Sequence, residues 1–181
     1  KIQNMFFGKN SWKSEHLNIN SFFTPASECG GDWWGHMPVD ESTHIICIAD
    51  ATGHGVPAAL VTAIAYTAST LLGASINDKK SFEGAMANIL TELNKLLFKF
   101  GNGQMTMTFF AALIDLRRGK VLVANAGHNF PILIPGKDSK VRFEDKKAKF
   151  KLSRGQVTLS VPGTPLGLLS DSHYQEYETT V

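Results

Sequence analysis

Cysteine is scarce in this chain of 181 residues, which contains only Cys29 and Cys47. The two are not spaced as metal ligands, either with each other or with a pair of histidines. No N-terminal segment resembles a signal peptide. We therefore expect reduced thiols and a cytoplasmic location for the chain.

A marked excess of charge is also absent, since 18 basic and 16 acidic residues leave a formal charge of +2. The densest basic stretch, residues 146–149, lies beside Glu144 and Asp145 and is typical of a solvated loop or strand edge. This pattern predicts no nucleic-acid partner. The longest apolar run, residues 56–72, includes Thr, Tyr and Ser and lacks the unbroken apolar length of a membrane span.

The apolar residues that are present suffice for the core of one domain. They make up 43% of the chain, against 19% charged residues, as in ordinary globular proteins. Residues 44–49 are continuously apolar and β-branched, which predicts a buried strand, and residues 17–23 predict another. Pro57 and Gly73 suit the start and end of a helix over residues 56–73. Because this helix is apolar on nearly every face, we expect it to be packed between other layers.

A second helix is predicted over residues 81–100, with Ser81 as its N-cap and one apolar face at helical spacing. Strands are predicted in the rest of the chain, over residues 106–115, 121–125, 130–134, 156–161 and 174–181. Strands, then two helices, then strands again indicate an α+β layered sandwich rather than a doubly wound sheet. We assign residues 11–181 to this domain and residues 1–10 to the end of an upstream linker or helix.

Two aspartates occupy glycine-rich segments eighteen residues apart. Asp32 lies in residues 30–34 (Gly-Gly-Asp-Trp-Trp), and Asp50 in residues 49–55 (Ala-Asp-Ala-Thr-Gly-His-Gly). Each can be a purely structural residue, in a turn or near a helix N-terminus. Carboxylates are, however, the ligands that Mg²⁺ and Mn²⁺ prefer, and one at the end of a buried strand is costly unless paired or coordinated. The pair therefore indicates metal-assisted chemistry.

The turn that follows Asp50 is suited to an anion. Gly53 and Gly55 allow a ligand to approach the backbone, and the N-terminus of the next helix offers N–H groups to a phosphate. Thr52 or His54 lies nearer the usual capping position, which leaves Asp50 available for other contacts. A carboxylate beside an anion site fits phosphoryl transfer or hydrolysis. The segment is not a P-loop, because no Lys follows the glycines.

A third segment, residues 124–131 (Ala-Asn-Ala-Gly-His-Asn-Phe-Pro), joins two predicted strands. Its Asn125 and His128 can line a site, or the segment can be a simple hairpin connection. The other histidines show no ligand spacing, so we expect them on the surface or in the core. The two tryptophans at residues 33–34 are expected in the core, with one ring able to wall the site.

Taken in order, these segments resemble the PPM-type metal-dependent serine/threonine phosphatases, in their bacterial SpoIIE-like (sigma-factor regulatory) branch. The resemblance extends over nearly the whole chain. It is carried by residues 25–26 (Pro-Ala), 30–34, 49–60, 108–115, 124–129 and 163–167 (Gly-Thr-Pro-Leu-Gly). It implies an α-β-β-α arrangement, in which helices flank an antiparallel β-sandwich and the metal site lies at one edge.

The resemblance also implies a site and a reaction. Two Mn²⁺ or Mg²⁺ ions would activate a bridging water that attacks phosphoserine or phosphothreonine without a phosphoenzyme. By match, Asp50 would be shared by both metals, Ala51 would contribute its backbone carbonyl, and Asp32 would bind one metal directly or through water. The implied substrate is a small phosphorylated regulatory protein, an anti-sigma-factor antagonist.

Family members also suggest how such a domain is used. They often carry sensory domains upstream, and they use the two helices in switching or homodimer contacts. The resemblance is therefore compatible with a cytoplasmic output domain of a larger, membrane-anchored sensor.

Three departures from the family pattern bear on these expectations. The family's two further metal aspartates, one in a Tyr-Thr-Asp-Gly-like segment, would lie beyond residue 181, and Asp171 does not replace them. Thr52 stands where eukaryotic relatives have a proposed acid histidine, and Gly35 where an acidic residue is frequent. The alternative is a catalytically incomplete phosphatase-fold module that acts in partner binding or regulation. A metal-dependent phosphodiesterase or nucleotide hydrolase is a third interpretation.

Overall fold

The computed structural model describes residues 11–24, 30–76, 82–136, 142–143, 149–153 and 156–180. Within them, four strands precede a pair of helices and seven strands follow it. The helices are α1 (Gly55–Ala74) and α2 (Ala85–Gly101). The strands are β1 (Ser11–Lys13), β2 (Asn18–Asn20), β3 (Asp32–Pro38), β4 (Thr43–Ala51), β5 (Met107–Asp115), β6 (Lys120–Ala126), β7 (Ile132–Leu133), β8 (Arg142–Phe143), β9 (Lys149–Ser153), β10 (Gln156–Ser160) and β11 (Glu176–Thr180).

These strands form two antiparallel sheets and a separate hairpin. The large sheet has the order β3-β4-β5-β6-β11-β8, the small sheet the order β7-β10-β9, and β1 pairs with β2. In the part of the chain that is described, the layers are α-β-β: the helices cover one face of the large sheet and the small sheet lies on the other. The predicted α+β sandwich is confirmed, and the outermost helix layer of an α-β-β-α order is not among the described residues.

Strand β5 shows why the large sheet is apolar on both faces. Met107, Phe109 and Leu113 belong to the core cluster beneath the helices. Phe110 and Ala112, which alternate with them, belong to the cluster beneath the small sheet. Because successive side chains of a strand point to opposite faces, only a nearly continuous apolar run can fill both cores. Each large side chain so buried contributes about 1.5–3 kcal/mol.

Helix α1 lies close to its predicted bounds, but its outer face is open. The helix continues through Gly73 to Ala74, so Gly73 does not end it. Ala58 and Ala65 are fully buried against the sheet, whereas Leu60 and Leu71 are 51% and 68% exposed. The prediction that α1 is packed between layers is therefore wrong for the described residues, where it is covered on one side only.

By length and composition alone, α1 could cross a membrane, since its most apolar 18-residue window has a mean hydropathy of 1.5. It is the one described helix that meets this criterion. Core helices of globular domains meet it too, and the buried residues of α1 belong to the main core cluster. The criterion is therefore weak evidence for a span.

Helix α2 begins at Ala85, four residues later than predicted, and Ser81 lies outside the described residues. Its first N–H groups are satisfied from a distant strand. Gly84 and Met86 donate their backbone N–H groups to the two carboxylate oxygens of Glu176 on β11, at 2.6 and 2.8 Å. Burial raises the pKa of Glu176, while these N–H groups act in the opposite direction. An acceptor ninety residues away thus takes the place of a local cap.

Two strand predictions are corrected. Residues 130–134 were expected to continue the meander, but β7 pairs with β10 in the small sheet. Gly127, with φ 71°, lies where the chain leaves the large sheet. The strand predicted over residues 17–23 shortens to β2, which pairs with β1, and residues 1–10 lie outside the described residues.

The β1–β2 hairpin contacts the large sheet through aromatic rings. Trp12 on β1 lies 5.3 Å from the ring of His36 and 4.3 Å from that of His44, between ring centroids. The two histidines are hydrogen-bonded to each other, with Nε2 of His36 and Nδ1 of His44 3.2 Å apart. Burial lowers the pKa of both rings, and the charge of His44 lowers the pKa of His36 further. The folded protein therefore favours the neutral form of both imidazole rings.

We expect the stability of the domain to fall as the histidine pair is protonated. A folded-state pKa below the ordinary value means that the unfolded chain binds more protons, so this contribution is present above about pH 6.5 and is lost as pH falls below it. In urea titrations at about pH 7.5 and pH 5.5, His36→Gln should show a smaller pH dependence than the wild type. Identical pH dependences would contradict this assignment.

Candidate active site

The two aspartates singled out in the sequence lie side by side. Asp32 on β3 is the direct cross-strand partner of Asp50 on β4, and Asp50 is in turn the partner of Thr108 on β5. Directly opposed residues of antiparallel strands point to the same face, with their Cβ atoms about 5 Å apart. Asp50 was expected just after its strand, but β4 continues to Ala51, so the carboxylate is held by strand pairing on both sides.

The electrostatics of this pair show crowding of negative charge. Burial raises the pKa of Asp50, and the charge of Asp32 raises it further. His128 acts in the opposite direction. The ionised form of Asp50 is therefore disfavoured beside Asp32, and a bound divalent cation would offset that penalty.

The carbonyl of Ala51 is placed by a close approach of two backbones. Ala51 donates its N–H to the carbonyl oxygen of Gly31 at 3.0 Å, and the buried hydroxyl of Thr62 on α1 donates to the same oxygen at 3.0 Å. A Cβ atom at Gly31 would overlap the carbonyl oxygen of Ala51. Only glycine allows this approach, so the Gly31–Asp32 sequence and the Ala51 carbonyl form one unit.

The turn between β4 and α1 has the backbone that an anion site requires. Gly53 and Gly55 adopt positive φ values of 90° and 73°. His54 occupies the N-cap position with an extended backbone, but its side chain makes no capping hydrogen bond. Thr52 is instead bonded to the residue that precedes β5, because its N–H and its hydroxyl both donate to the carbonyl oxygen of Thr106, at 2.8 and 3.0 Å.

The third predicted segment reaches the same place. Asn125 accepts the N–H of His128 on its Oδ1 at 2.8 Å and donates its Nδ2 to the carbonyl oxygen of His128 at 2.9 Å. Nδ1 of His128 lies 2.9 Å from the hydroxyl of Thr108. The segment is therefore no simple hairpin connection, since it crosses from the large sheet to the small one and carries His128 to the aspartates.

A groove of about 520 Å³ opens beside the aspartate pair. Asp32 and His128 lie on its wall together with Trp34, Ile48 and residues 19–23 of the β2 region. Trp33 points to the opposite face and packs in the core, 5.8 Å from the ring of Phe109. As expected, one tryptophan packs in the core and the other lines the wall of the site.

The ligand atoms available at this site are of the type that a hard divalent cation binds. Asp32, Asp50 and the Ala51 carbonyl all offer oxygen atoms, which Mg²⁺ and Mn²⁺ prefer. The described residues bring no set of three or more His, Cys, Asp and Glu side chains together as a metal site. Asp171, in a loop between β10 and β11, supplies no third carboxylate to such a set. The described residues therefore contribute two carboxylates.

Thr108 was noted in the sequence only as part of a motif, and the structure gives it a place in the site. Its hydroxyl lies 2.9 Å from His128 and 3.4 Å from the carbonyl oxygen of Asp50. The sequence contained one sign of this role: Thr108 is a polar residue near the start of an apolar strand, where it needs a polar partner. Only the strand register shows which partner that is.

Comparisons with known proteins place the domain in the PPM-type, SpoIIE-like class. Residues 40–181 match the family model of Stage II sporulation protein E (SpoIIE). Because this match covers more than half of the chain, the chain belongs to the SpoIIE family.

Two proteins of Bacillus subtilis strain 168 are similar to the chain in sequence. The phosphoserine phosphatase RsbU is 26% identical over 178 residues, covering 98% of this chain and 46% of RsbU. The phosphoserine phosphatase RsbP is 29% identical over 118 residues, covering 64% of this chain and 28% of RsbP. The chain therefore spans less than half the length of either relative.

Solved structures share the fold at low sequence identity. RsbX in complex with magnesium has a TM-score of 0.63 and 14% identity, with 94% of this chain and 71% of RsbX covered. The PP2C phosphatase domain of SpoIIE from Bacillus subtilis has a TM-score of 0.60 and 14% identity, with 86% of this chain and 39% of that chain covered. These similarities confirm the predicted fold class.

The adjacent glycines at residues 30 and 31 allow a matched test of the Ala51 carbonyl. Gly31→Ala should destabilise the domain by about 1–3 kcal/mol, because the new methyl group must displace the Ala51 backbone. It should also weaken Mn²⁺ binding by about tenfold or more, if that carbonyl contributes to the site. Urea unfolding and calorimetric Mn²⁺ titration measure the two effects.

Gly30→Ala is the control, since a Cβ atom at Gly30 meets nothing within 4 Å. We expect it to change stability by no more than about 0.5 kcal/mol. Equal behaviour of the two variants would contradict the role given to Gly31.

Proposed function

We propose that the protein containing this chain is a metal-dependent phosphatase that hydrolyses phosphoserine or phosphothreonine on a regulatory protein. The observation that supports it most directly is the register that pairs Asp32 with Asp50. This pair lies next to His128 and Thr108, at the edge of a sandwich whose fold is that of PP2C phosphatases. The names of the relatives RsbU and RsbP, both phosphoserine phosphatases, support the same reaction.

In this proposal the acidic pair binds the metal ions and the turn after it binds the phosphate group. Asp50, Asp32 and the backbone carbonyl of Ala51 would hold the Mn²⁺ or Mg²⁺ ions. Bound metal ions would lower the pKa of a coordinated water and neutralise charge on the phosphoryl oxygens. The backbone of residues 52–55 and the uncapped N-terminus of α1 then bind the phosphate as an anion.

Further acidic ligands are expected from the rest of the protein, because the described residues supply only two carboxylates. We propose that the full-length protein completes the site with additional aspartates. We also place it in the cytoplasm, downstream of a sensory domain, with a phosphorylated anti-sigma-factor antagonist as its substrate.

Replacing Asp50 tests the site directly. With a phosphoserine peptide and Mn²⁺, Asp50→Asn in the full-length protein should lower kcat/KM by at least about 100-fold, because one metal-binding charge is lost. Phosphate release measures the rate. Asp171→Asn is the matched control, and we expect it to retain wild-type turnover because Asp171 lies on an exposed loop. Equal turnover by wild type and Asp50→Asn would remove Asp50 from the mechanism.

A second candidate function is a catalytically incomplete phosphatase fold that binds a partner. It is favoured by the finding that two carboxylates, and no larger acidic set, converge in the described residues. Calorimetric titration of the full-length protein with Mn²⁺ separates the two. Tight two-site binding supports the phosphatase, whereas weak binding together with no phosphate release supports the incomplete module. A nucleotide screen with no turnover, beside activity on phosphoprotein, discards the phosphodiesterase alternative.

The outer face of the helix pair is proposed as a homodimer contact. An apolar groove of about 560 Å³ runs between α1 and α2, and Leu60, Leu71, Leu96 and Phe100 are about half exposed or more along it. Helix α1 contains no charged residue, so a second copy can cover its side of the groove without burying a charge. Sedimentation should show a dimer that Leu60→Glu dissociates, and a wild-type monomer at high concentration would contradict this contact.

A further inference from the structure

The backbone of His128 is held more firmly than a connecting loop requires. The Asn125 side chain bonds both to the N–H and to the carbonyl oxygen of His128. Gly127, in the left-handed region at φ 71°, allows the reversal between them, and Pro165 packs against Gly127 where a Cβ atom would lie. Such support fixes the position from which the imidazole ring extends.

The ring of His128 is oriented by Thr108. The hydroxyl of Thr108 has the carbonyl oxygen of Asp50 as an acceptor at 3.4 Å, so its single proton can be donated there. Its oxygen is then available to accept a hydrogen bond from the N–H at Nδ1 of His128, 2.9 Å away. In this arrangement Nδ1 carries a proton and is occupied, which leaves Nε2 as the reactive nitrogen.

His128 faces the same groove as the acidic pair. It lines the groove together with Asp32, and its ring is coupled electrostatically to both Asp50 and Asp32. Burial lowers the pKa of His128, and the two carboxylates oppose that change. A phosphate dianion bound beside the ring would favour the imidazolium form, which is the form that can donate a proton from Nε2.

The other histidines of the described residues are less suited to a reacting group. His36 and His44 are bonded to each other beneath Trp12. His16 and His173 are exposed. His54 is the one competitor, because it lies at the N-terminus of α1 without a capping bond. The side chain of His54 makes no capping hydrogen bond, whereas the ring of His128 is held by the hydroxyl of Thr108.

We propose that His128 is a catalytic residue that protonates the seryl or threonyl oxygen as the phosphate ester is cleaved, and that Thr108 is its positioning residue. This inference rests on the proposed phosphatase function. Water adds to phosphorus, the bond between phosphorus and the side-chain oxygen breaks, and its electron pair remains on that oxygen. The oxygen takes the proton from Nε2 of His128. The proton released by the attacking water restores the imidazolium, so that ester and water yield alcohol and inorganic phosphate.

The experiment compares two leaving groups. A seryl alkoxide is strongly basic and needs a proton as it departs, whereas p-nitrophenolate is stable as an anion. In the full-length protein with Mn²⁺, His128→Asn should lower kcat/KM on a phosphoserine peptide by about 10²–10⁴-fold. On p-nitrophenyl phosphate the loss should be at least about tenfold smaller. His173→Asn is the matched control and should change neither rate.

Thr108→Val provides a second variant with nearly the same shape. It should produce the same selective loss at about 10–100-fold, because the ring is no longer oriented. Calorimetric Mn²⁺ binding and the unfolding midpoint should stay close to wild type in Thr108→Val. If His128→Asn fails to fold, His128→Gln and Thr108→Val carry the comparison.

Three results would overturn the inference. An equal loss on both substrates would give His128 a structural role only, and undiminished phosphoserine hydrolysis would remove it from the reaction. A selective loss in His54→Asn instead of His128→Asn would assign the proton to His54. These results leave the phosphatase function standing as long as Asp50→Asn is inactive, whereas an inactive wild type would contradict both proposals.

Discussion

The antiparallel register of β3, β4 and β5 is the constraint on which the candidate site depends. It sets Asp32 opposite Asp50 and Asp50 opposite Thr108, and it places all three side chains on the face away from the helices. A shift of one residue would turn each side chain to the other face and would bury two carboxylates beneath α1. The same register gives the alternating apolar residues of β5 to the two cores. Core packing and the position of the acidic pair are therefore determined together.

Around these strands, polar groups that are far apart in the chain form hydrogen bonds with one another. Glu176 on β11 accepts the first N–H groups of α2, and Asn94 on α2 accepts the N–H of Gly167 and donates to the carbonyl oxygen of Leu169. Leu166 exchanges two backbone hydrogen bonds with Met107, next to Thr108. The loop after β10 is thereby joined both to the helix pair and to the start of β5. Each of these buried polar groups would be costly if left unpaired, so the helices, this loop and the site are stabilised as one unit.

The sequence was most informative where a local pattern decides the structure. The two helices, the strand from Thr43 to Ala51 and the glycine-rich turn before α1 follow from apolar periodicity, from Pro57 and from glycines that adopt positive φ. The ordered motifs around Asp32 and Asp50 indicated the family to which the chain belongs. Local pattern was insufficient for the start of α2, because its cap is Glu176. It was also insufficient for the strand at Ile132, because two short apolar strands can pair with either sheet. The pairing of His36 with His44 was missed, since neither shows a ligand spacing along the chain.

The sequence by itself therefore determined the α+β class, the acidic residues and the glycine-rich turn beside them. These depend on residue type and on contacts within a few positions. Only the tertiary structure decided that Asp32 and Asp50 are direct neighbours, that Asp50 lies within a strand, and that Thr108, Asn125 and His128 meet beside them. These relations join strands up to a hundred residues apart. They are set by which strands pair and in what register, and that choice is made by the burial of both faces of the large sheet at once.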